Sequence, residues 1–414
     1  MVCTCEIAGR VRGKGFPARD LPRRMVSGVG WIPTNTMISA LGPIADSPFG
    51  ARDDLILVPD ATTEVHVPFE DGGADERFFL GDVRHIDGTP WMGCPRDILR
   101  RALRALHEVA GVRLLAAFEH EFVYDGVENR PGAPYSLDAY RRQGVLGEAL
   151  LAALRMAGVE PDSFLPEFAP RQFEFTCAPA FGLRAADDAV IAREMARAVA
   201  HRLGHRAIFS PILDPNGVGN GVHIHLSFRD DTDGPAMYYA GDPLQLSRIG
   251  RQFVAGVVAH LPALCAITAP CPVSYIRLRP NRWAPVAATL AQQDREAAVR
   301  ICPVLTVAEA SDAGRQFNVE FRPADAAASP YLALAAIVFA GVDGIRRSLD
   351  VPHTDRKLPP DLGTALDLLE GTEAARDWFG PDYLAAYLRH KRAEIAMTAD
   401  MDDGARCAAY AEVY

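Results

Sequence analysis

Four short segments share one alternation, and that alternation limits the fold more than any other feature of the chain. In a strand, side chains two residues apart, about 6.6 Å along the backbone, point to the same face. AAFEHEFVY (116–124) therefore sets Phe118, His120, Phe122 and Tyr124 against Glu119 and Glu121. RQFEFTC (171–177) sets Phe173 and Phe175 against Gln172, Glu174 and Thr176. GVHIHLSF (221–228) sets Val222, Ile224, Leu226 and Phe228 against His223, His225 and Ser227, and FNVEFRP (317–323) sets Phe317, Val319 and Phe321 against Asn318, Glu320 and Arg322. Each strand thus has one bulky apolar face to cover.

The cover comes from segments of helical period near 136–156, 185–203, 244–261, 328–347 and 381–394, interleaved with strand patterns at 112–124, 171–177, 205–212, 221–228 and 316–322. This mixture predicts an α+β fold, an antiparallel sheet with helices packed on one face. Residues 1–90 differ: they are rich in Gly, Pro and Asp and hold short runs such as LILV (55–58), TEVHV (63–67) and RFFLGDV (77–83), which suits a small β-rich domain. A helix then opens at Pro95, presents Ile98, Leu99, Ala102, Leu103, Leu106, Val109 and Ala110 on one face, and ends at Gly111. The boundary falls near 91–95, giving domains of 1–92 and 93–414.

The opposite, polar faces of the four strands contain no lysine and concentrate chelating groups. A merely solvated face would mix Lys, Thr, Ser and Glu. If the strands are neighbours, Glu119, Glu121, Glu174 and Glu320 cannot all stay ionised without cations between them. Oxygen-rich sites with an imidazole favour Mg²⁺ or Mn²⁺, whereas zinc more often recruits several His or Cys ligands. Mg²⁺ usually carries substrate phosphates, which points to ATP. Arg277 and Arg279 in SYIRLRPNRWAP, Arg295 and Arg300 in QQDREAAVRICP, and Arg315 and Arg322 flanking Glu320 suit a phosphoryl group in transfer, although any one alone reads as a surface residue. The glycine-rich run NGVGNGVHIHLSF (216–228) is compatible with a phosphate cradle, a metal ligand pair or a simple corner.

Charge narrows the partners. The 414 residues include 43 basic and 53 acidic side chains, a net charge of -10, so no basic field recommends nucleic acid or an anionic membrane. Eight cysteines without a C-x-x-C pair read as reduced thiols in a cytoplasmic protein. The first residues lack the apolar core of a signal peptide, and YLALAAIVFAGV (331–342) is shorter than the roughly 20 residues of a membrane span.

In this order the motifs resemble the glutamine synthetase family. FEHEF resembles its paired-glutamate strand, PEFAPRQFEF its E-x-x-x-G-Q-x-E segment, GNGVHIHLS its G-S-G-M-H-x-H-x-S signature, and SYIRLRPNRWAP its S-Y-K-R-L-V-P-G-Y-E-A-P flap; NVEFRPADAAASPYLALAAIVFAGVDGI is similar to its I-E-V-R-x-P-D-x-A-A-N-P-Y-L block. The resemblance runs from about residue 50 to the C-terminus. It implies a small N-terminal β-grasp-like domain and a large catalytic domain whose curved antiparallel sheet is flanked by helices. It implies two or three Mg²⁺ or Mn²⁺ ions per site, with Glu121, Glu167 and Glu174 around one and Glu119, His223 and Glu320 around a second on the nucleotide phosphates. Arg277 and Arg322 match contacts to substrate carboxylate and transferred phosphoryl group, Arg295 and Arg300 further phosphate contacts, and His225, Ser227 and Arg315 positions near the nucleotide. The implied reaction is ATP-dependent: a carboxylate, glutamate in the family, becomes an acyl phosphate, an amine attacks it, and phosphate leaves. The implied assembly is a homo-oligomer, a double ring such as a dodecamer, with sites at subunit boundaries.

Four departures concern the substrates. The flap glutamate that holds ammonium falls on Trp283, and the ammonium-binding aspartate falls near Ser39–Ala40, with Asp46, Asp53 and Asp54 close enough for an insertion to disguise it. The asparagine before the signature's first glycine, Gly219, becomes Val218 unless Asn216 or Asn220 replaces it, and Arg171 stands where the family has glycine. An aromatic residue at 283 suits an organic amine better than ammonia. The expectation is therefore a γ-glutamyl amide ligase. Its alternatives are glutamate–ammonia ligation proper, a non-catalytic ligand-sensing relative, and a zinc hydrolase built on His223 and His225.

Overall fold

Alternation and helical period translate into two sheets and a helical layer in the computed structural model, which describes residues 1–50, 52–305, 312–352 and 356–414. The first sheet is built from β1 (Val2–Cys5), β2 (Val11–Lys14), β3 (Val29–Trp31), β4 (Leu55–Pro59), β5 (Val65–Val67) and β6 (Glu76–His85), with α1 (Leu21–Ser27) between β2 and β3. Its order is β2-β1-β6-β4-β3 with β5 also on β6, and β1 runs parallel to β6. The runs LILV, TEVHV and RFFLGDV fall on β4, β5 and β6; β1 and β2 are strands that the alternation did not mark.

The chain continues through α2 (Pro95–Ala110), β7 (Arg113–Tyr124), α3 (Leu137–Arg142), α4 (Leu146–Met156), β8 (Pro161–Pro166), β9 (Gln172–Cys177), β10 (Ala180–Phe181), α5 (Leu183–Arg202), β11 (Ala207–Ile208) and β12 (Val222–Arg229). There follow α6 (Arg248–Thr268), α7 (Ser274–Arg277), β13 (Leu290–Gln292), β14 (Val299–Ile301), α8 (Ala313–Gln316), β15 (Val319–Phe321), α9 (Pro330–Arg346), α10 (Leu362–Glu370), α11 (Glu373–Phe379), α12 (Pro381–Met397) and α13 (Asp403–Ala411). The second sheet has the order β13-β14-β15-β12-β7-β9-β8, with β10 and β11 also on β7. Its pairings are antiparallel except β13 with β14.

The apolar faces lie where the alternation puts them. Phe118, Phe122, Phe173, Phe175, Ile224, Phe228, Phe317 and Phe321 are all buried and form one core with α2, α5, α6 and α9. Each large side chain so buried contributes about 1.5–3 kcal/mol. A slip of one residue in any pairing would expose that set and bury the carboxylates, so the register is strongly fixed.

Three expected elements come out differently. The helix of 136–156 is two, because Gly144 at φ +69 breaks it and the Gln143 side chain accepts a hydrogen bond from Gly147 N–H at 2.7 Å. The helix placed at 244–261 starts later and runs longer: Ser247 caps it, its hydroxyl accepting from Gly250 N–H at 3.1 Å, and it continues through Pro262 to Thr268. The strand of 205–212 shrinks to Ala207–Ile208 because Phe209 N–H turns to the Tyr414 carbonyl at 2.9 Å. Helix α6 is the one described helix long and apolar enough to cross a membrane, and most of it is buried in the core.

Candidate active site

The register of the second sheet assembles its polar face. His223 on β12 stands opposite Glu119 on β7, Glu121 on β7 opposite Glu174 on β9, and Glu320 on β15 opposite both His225 on β12 and Arg300 on β14. Loops and short turns add Glu167, Val218, Gly219, Arg277, Trp283, Arg295 and Arg322. These residues line one cavity of about 870 Å³, so thirteen of the sixteen site residues expected from the sequence meet there. The other three, His225, Ser227 and Arg315, line an adjoining cavity of about 370 Å³ that shares Glu119.

Glycine is required at 219. A Cβ there would overlap the Pro211 carbonyl and the Arg277 side chain, so the loop before β12 closes on Arg277 only without one. Gln172 fastens the same loop: its amide donates to the Gly219 carbonyl at 3.0 Å, to Asn220 Oδ1 at 2.8 Å and to Glu121 Oε2 at 3.2 Å. Asn220 is also tied to Ser210 through its own amide, and Asn216 is exposed, so of positions 216, 218 and 220 it is Val218 that lines the cavity.

Two groups of ligand atoms lie within 4.8 Å of one another: Glu119, His223 and Glu320, and Glu121, Glu174 and His223. His223 Nδ1 is 3.2 Å from Glu119 and 3.4 Å from Glu320. Glu167 lines the cavity outside these groups, its carboxylate accepting from the Tyr135 hydroxyl at 2.9 Å and from Phe168 N–H at 2.8 Å.

The charges fit a divalent cation. Burial pushes Glu174 well above the usual carboxylate range, helped by the negative charge of Glu119 and Glu121, and a cation beside it would favour its ionised form. Glu119 also resists burial, but bonds to His223 and His225 hold it well below the usual carboxylate range. Glu320 is held down to about 2: the charges of His223, Arg322 and His225 and a hydrogen bond from Arg300 at 2.8 Å overcome its burial. Its other oxygen pairs with Arg322. The donor set is carboxylate with one shared imidazole, the chemistry of Mg²⁺ or Mn²⁺. His225 belongs to neither group of ligand atoms; its ring nitrogens face Glu119 at 3.0 Å and Asn318 at 2.9 Å.

The remaining arginines differ in freedom. Arg277 is buried and donates to the carbonyls of Pro323 and Ala324 at 2.9 and 2.8 Å. Arg315 pairs with Asp233 and Asp312 on the surface, while Arg295 makes no ion pair among the described residues. The Ser227 hydroxyl donates to the Phe317 carbonyl at 2.7 Å.

Near the mouth the cavity is lined by Tyr135, Leu165, Phe168 and Trp283, of which only Trp283 was singled out in the sequence. Phe168 follows Glu167 in a quoted motif and was within reach; Tyr135 lies in a loop without periodicity. Among the described residues of 39–54, Ser39 is buried, Ala40 N–H donates to Glu394 at 2.7 Å, Asp46 faces Arg389, Asp53 and Asp54 are exposed, and none of these lines the cavity of the same chain.

Comparison with known proteins agrees with this geometry. The model of the glutamine synthetase N-terminal domain matches residues 1–91, and that of the glutamine synthetase catalytic domain matches residues 92–403. The gamma-glutamylpolyamine synthetase GlnA3 of Streptomyces coelicolor is 34% identical over 98% of this chain and 91% of its own. A crystal structure described as a novel glutamine synthase homolog superimposes with a TM-score of 0.96 at 42% identity, covering 100% of this chain and 97% of that one. A GmaS/ADP complex gives a TM-score of 0.82 at 28% identity over 97% and 94% of the two chains. With both domain models matched and the metal-binding face assembled, the chain belongs to the glutamine synthetase family.

Proposed function

We propose that the enzyme, an ATP-dependent ligase forming carbon–nitrogen bonds, joins the γ-carboxylate of glutamate to an amine larger than ammonia. The observation that carries this is the wall of the cavity, which Trp283 lines where the family pattern has a carboxylate. A compact cation gains nothing from an indole that it would not gain more from a carboxylate, whereas an organic amine does. The polyamine specificity in the name of the Streptomyces coelicolor relative supports the same direction.

In this reading Glu119, His223 and Glu320 hold one cation, and Glu121 and Glu174, with Glu167 alongside, hold another. When bound, Mg²⁺ or Mn²⁺ neutralises phosphoryl oxygens and offsets the charge that the facing carboxylates place on one another. Arg277, Arg295 and Arg322 face the same cavity and stabilise the carboxylate and the phosphoryl oxygens in transfer; Arg300 acts by fixing Glu320. His225, Ser227 and Arg315 lie on the nucleotide side. A carboxylate oxygen of glutamate attacks the γ-phosphorus and ADP leaves; the amine nitrogen then attacks the acyl carbon, phosphate leaves with the carbonyl–oxygen bond pair, and the extra proton on nitrogen is lost. Enclosure protects the acyl phosphate from water. The domain division near residue 92 and assembly into a homo-oligomeric ring belong to the same proposal.

ADP release with Mg²⁺ or Mn²⁺, glutamate and either ammonia or organic amines tests it. At least tenfold higher kcat/KM for an organic amine is expected. Ammonia as the preferred substrate would sink the proposal.

A further inference from the structure

We infer that Tyr135, Phe168 and Trp283 form an aromatic wall that selects amines bearing an aryl group. This rests on the ligase reading above and specifies its amine.

Exposed aromatic side chains are few. Among the described residues five large aromatics are exposed, and three of them, Tyr135, Phe168 and Trp283, line this one cavity. Scattered exposure needs no explanation, but a cluster around a reaction cavity does. Leu165 and Val218 continue the apolar surface.

The wall is held in a costly backbone conformation. Tyr135 has φ +55 and Trp283 has φ +53, the left-handed region that disfavours a residue with a Cβ. Such strain persists where the surroundings impose it, and it concentrates at ligand clamps. Phe168 and Trp283 meet edge to face, with centroids 4.1 Å apart and planes at 72°. Edge-to-face packing is a preferred aromatic arrangement, and the ring of a bound aryl amine would extend it. The Tyr135 hydroxyl is anchored on Glu167 at 2.9 Å, which pins its ring beside the pair.

Charged groups surround the ring surfaces. Glu167 is engaged by Tyr135 and by Phe168 N–H. Asp294 and Glu296 flank Arg295 on one turn, where Asp294 accepts from Glu296 N–H at 2.9 Å, and Arg282 lines the same cavity. Three carboxylates therefore face two guanidinium groups around the rim, and the choice of an aryl group rests on the ring surfaces rather than on charge.

The test is kcat/KM for ADP formation, with ATP and glutamate saturating, across 2-phenylethylamine, butylamine, putrescine, spermidine and ammonia. At least tenfold preference for 2-phenylethylamine over butylamine is expected. W283A and F168A should each lower that ratio at least fivefold, while W283F should hold it within about twofold. Preference for putrescine or spermidine, or a ratio unchanged in W283A, overturns the aromatic wall. Turnover of butylamine without aryl preference overturns the wall alone; ADP release with none of the amines overturns the ligase reading with it.

Discussion

Arg171 shows what a single residue can and cannot disclose. Its place before Gln172, where the family pattern has glycine, suggested a charge beside the metal strand. The structure turns the side chain to solvent, away from the cavity, and explains the family's glycine through the backbone: φ is +59, and the carbonyl accepts from Tyr124 N–H at 2.9 Å. A residue with a Cβ is strained there by about 1–2 kcal/mol, while glycine costs about 0.5–1 kcal/mol more in unfolded-chain entropy. R171G should therefore stabilise the protein by up to about 1 kcal/mol and leave activity within about twofold. Urea unfolding and ADP release check this; a stability loss above about 1 kcal/mol would mean that the arginine side chain holds the turn. Val218 is the converse case. Its neighbours Asn216 and Asn220 both offered an amide for substrate, and only the fold reveals that Asn220 spends its amide on Ser210 and accepts from Gln172.

At the scale of the element, alternation made the polar faces of β7, β9, β12 and β15 legible, because a period of two follows from strand geometry alone. Pairing was not legible. Glu119 meets His223 across a separation of 104 residues, and nothing local in either segment specifies the partner. The short strands β1, β2 and β3 escaped because three or four residues are too few for a period to register. The same register sets up a measurable strain: four glutamates share a face, and Glu174 is pushed well above the usual carboxylate range by burial and by its neighbours. A cation that binds only the folded chain stabilises it by about 2.7 kcal/mol at a hundredfold excess over its dissociation constant. Adding Mg²⁺ or Mn²⁺ to chelator-treated protein should thus raise the melting temperature by several degrees, and E174Q should reduce that increment at least by half. An increment that survives in both E174Q and E320Q would place the ion elsewhere.

The whole molecule depends on a junction that the sequence did not disclose, since it joins residues from five separate elements or their flanking turns. Arg96 on α2 is buried; it grips Asp187 on α5 through two bonds of 2.9 Å, Asp82 on β6 at 2.7 Å and Asp60 after β4 at 2.9 Å. The Tyr331 hydroxyl on α9 completes Asp187 at 2.6 Å, and Arg100 adds two bonds to Asp82. One guanidinium therefore links the first sheet to the helical layer behind the second. Replacing a whole buried ion network with apolar groups is often neutral, but removing one partner leaves charges unpaired and costs about 3–5 kcal/mol. R96M should lose stability in that range by urea unfolding, and a loss below about 1 kcal/mol would show that the junction is held by packing alone. The pH dependence supplies a second reading. Burial would raise Asp82, yet the charge of Arg96 and the bonds from Arg100 bring it below its ordinary value; hydrogen bonds from Thr62 and Arg96 do the same for Asp60. Carboxyls depressed in the fold stabilise it above their unfolded value near 4 and lose that contribution as pH falls through the folded values. The native enzyme should accordingly lose stability steeply below about pH 4, and R96M, with these carboxyls no longer depressed by Arg96, should show a shallower loss over the same interval.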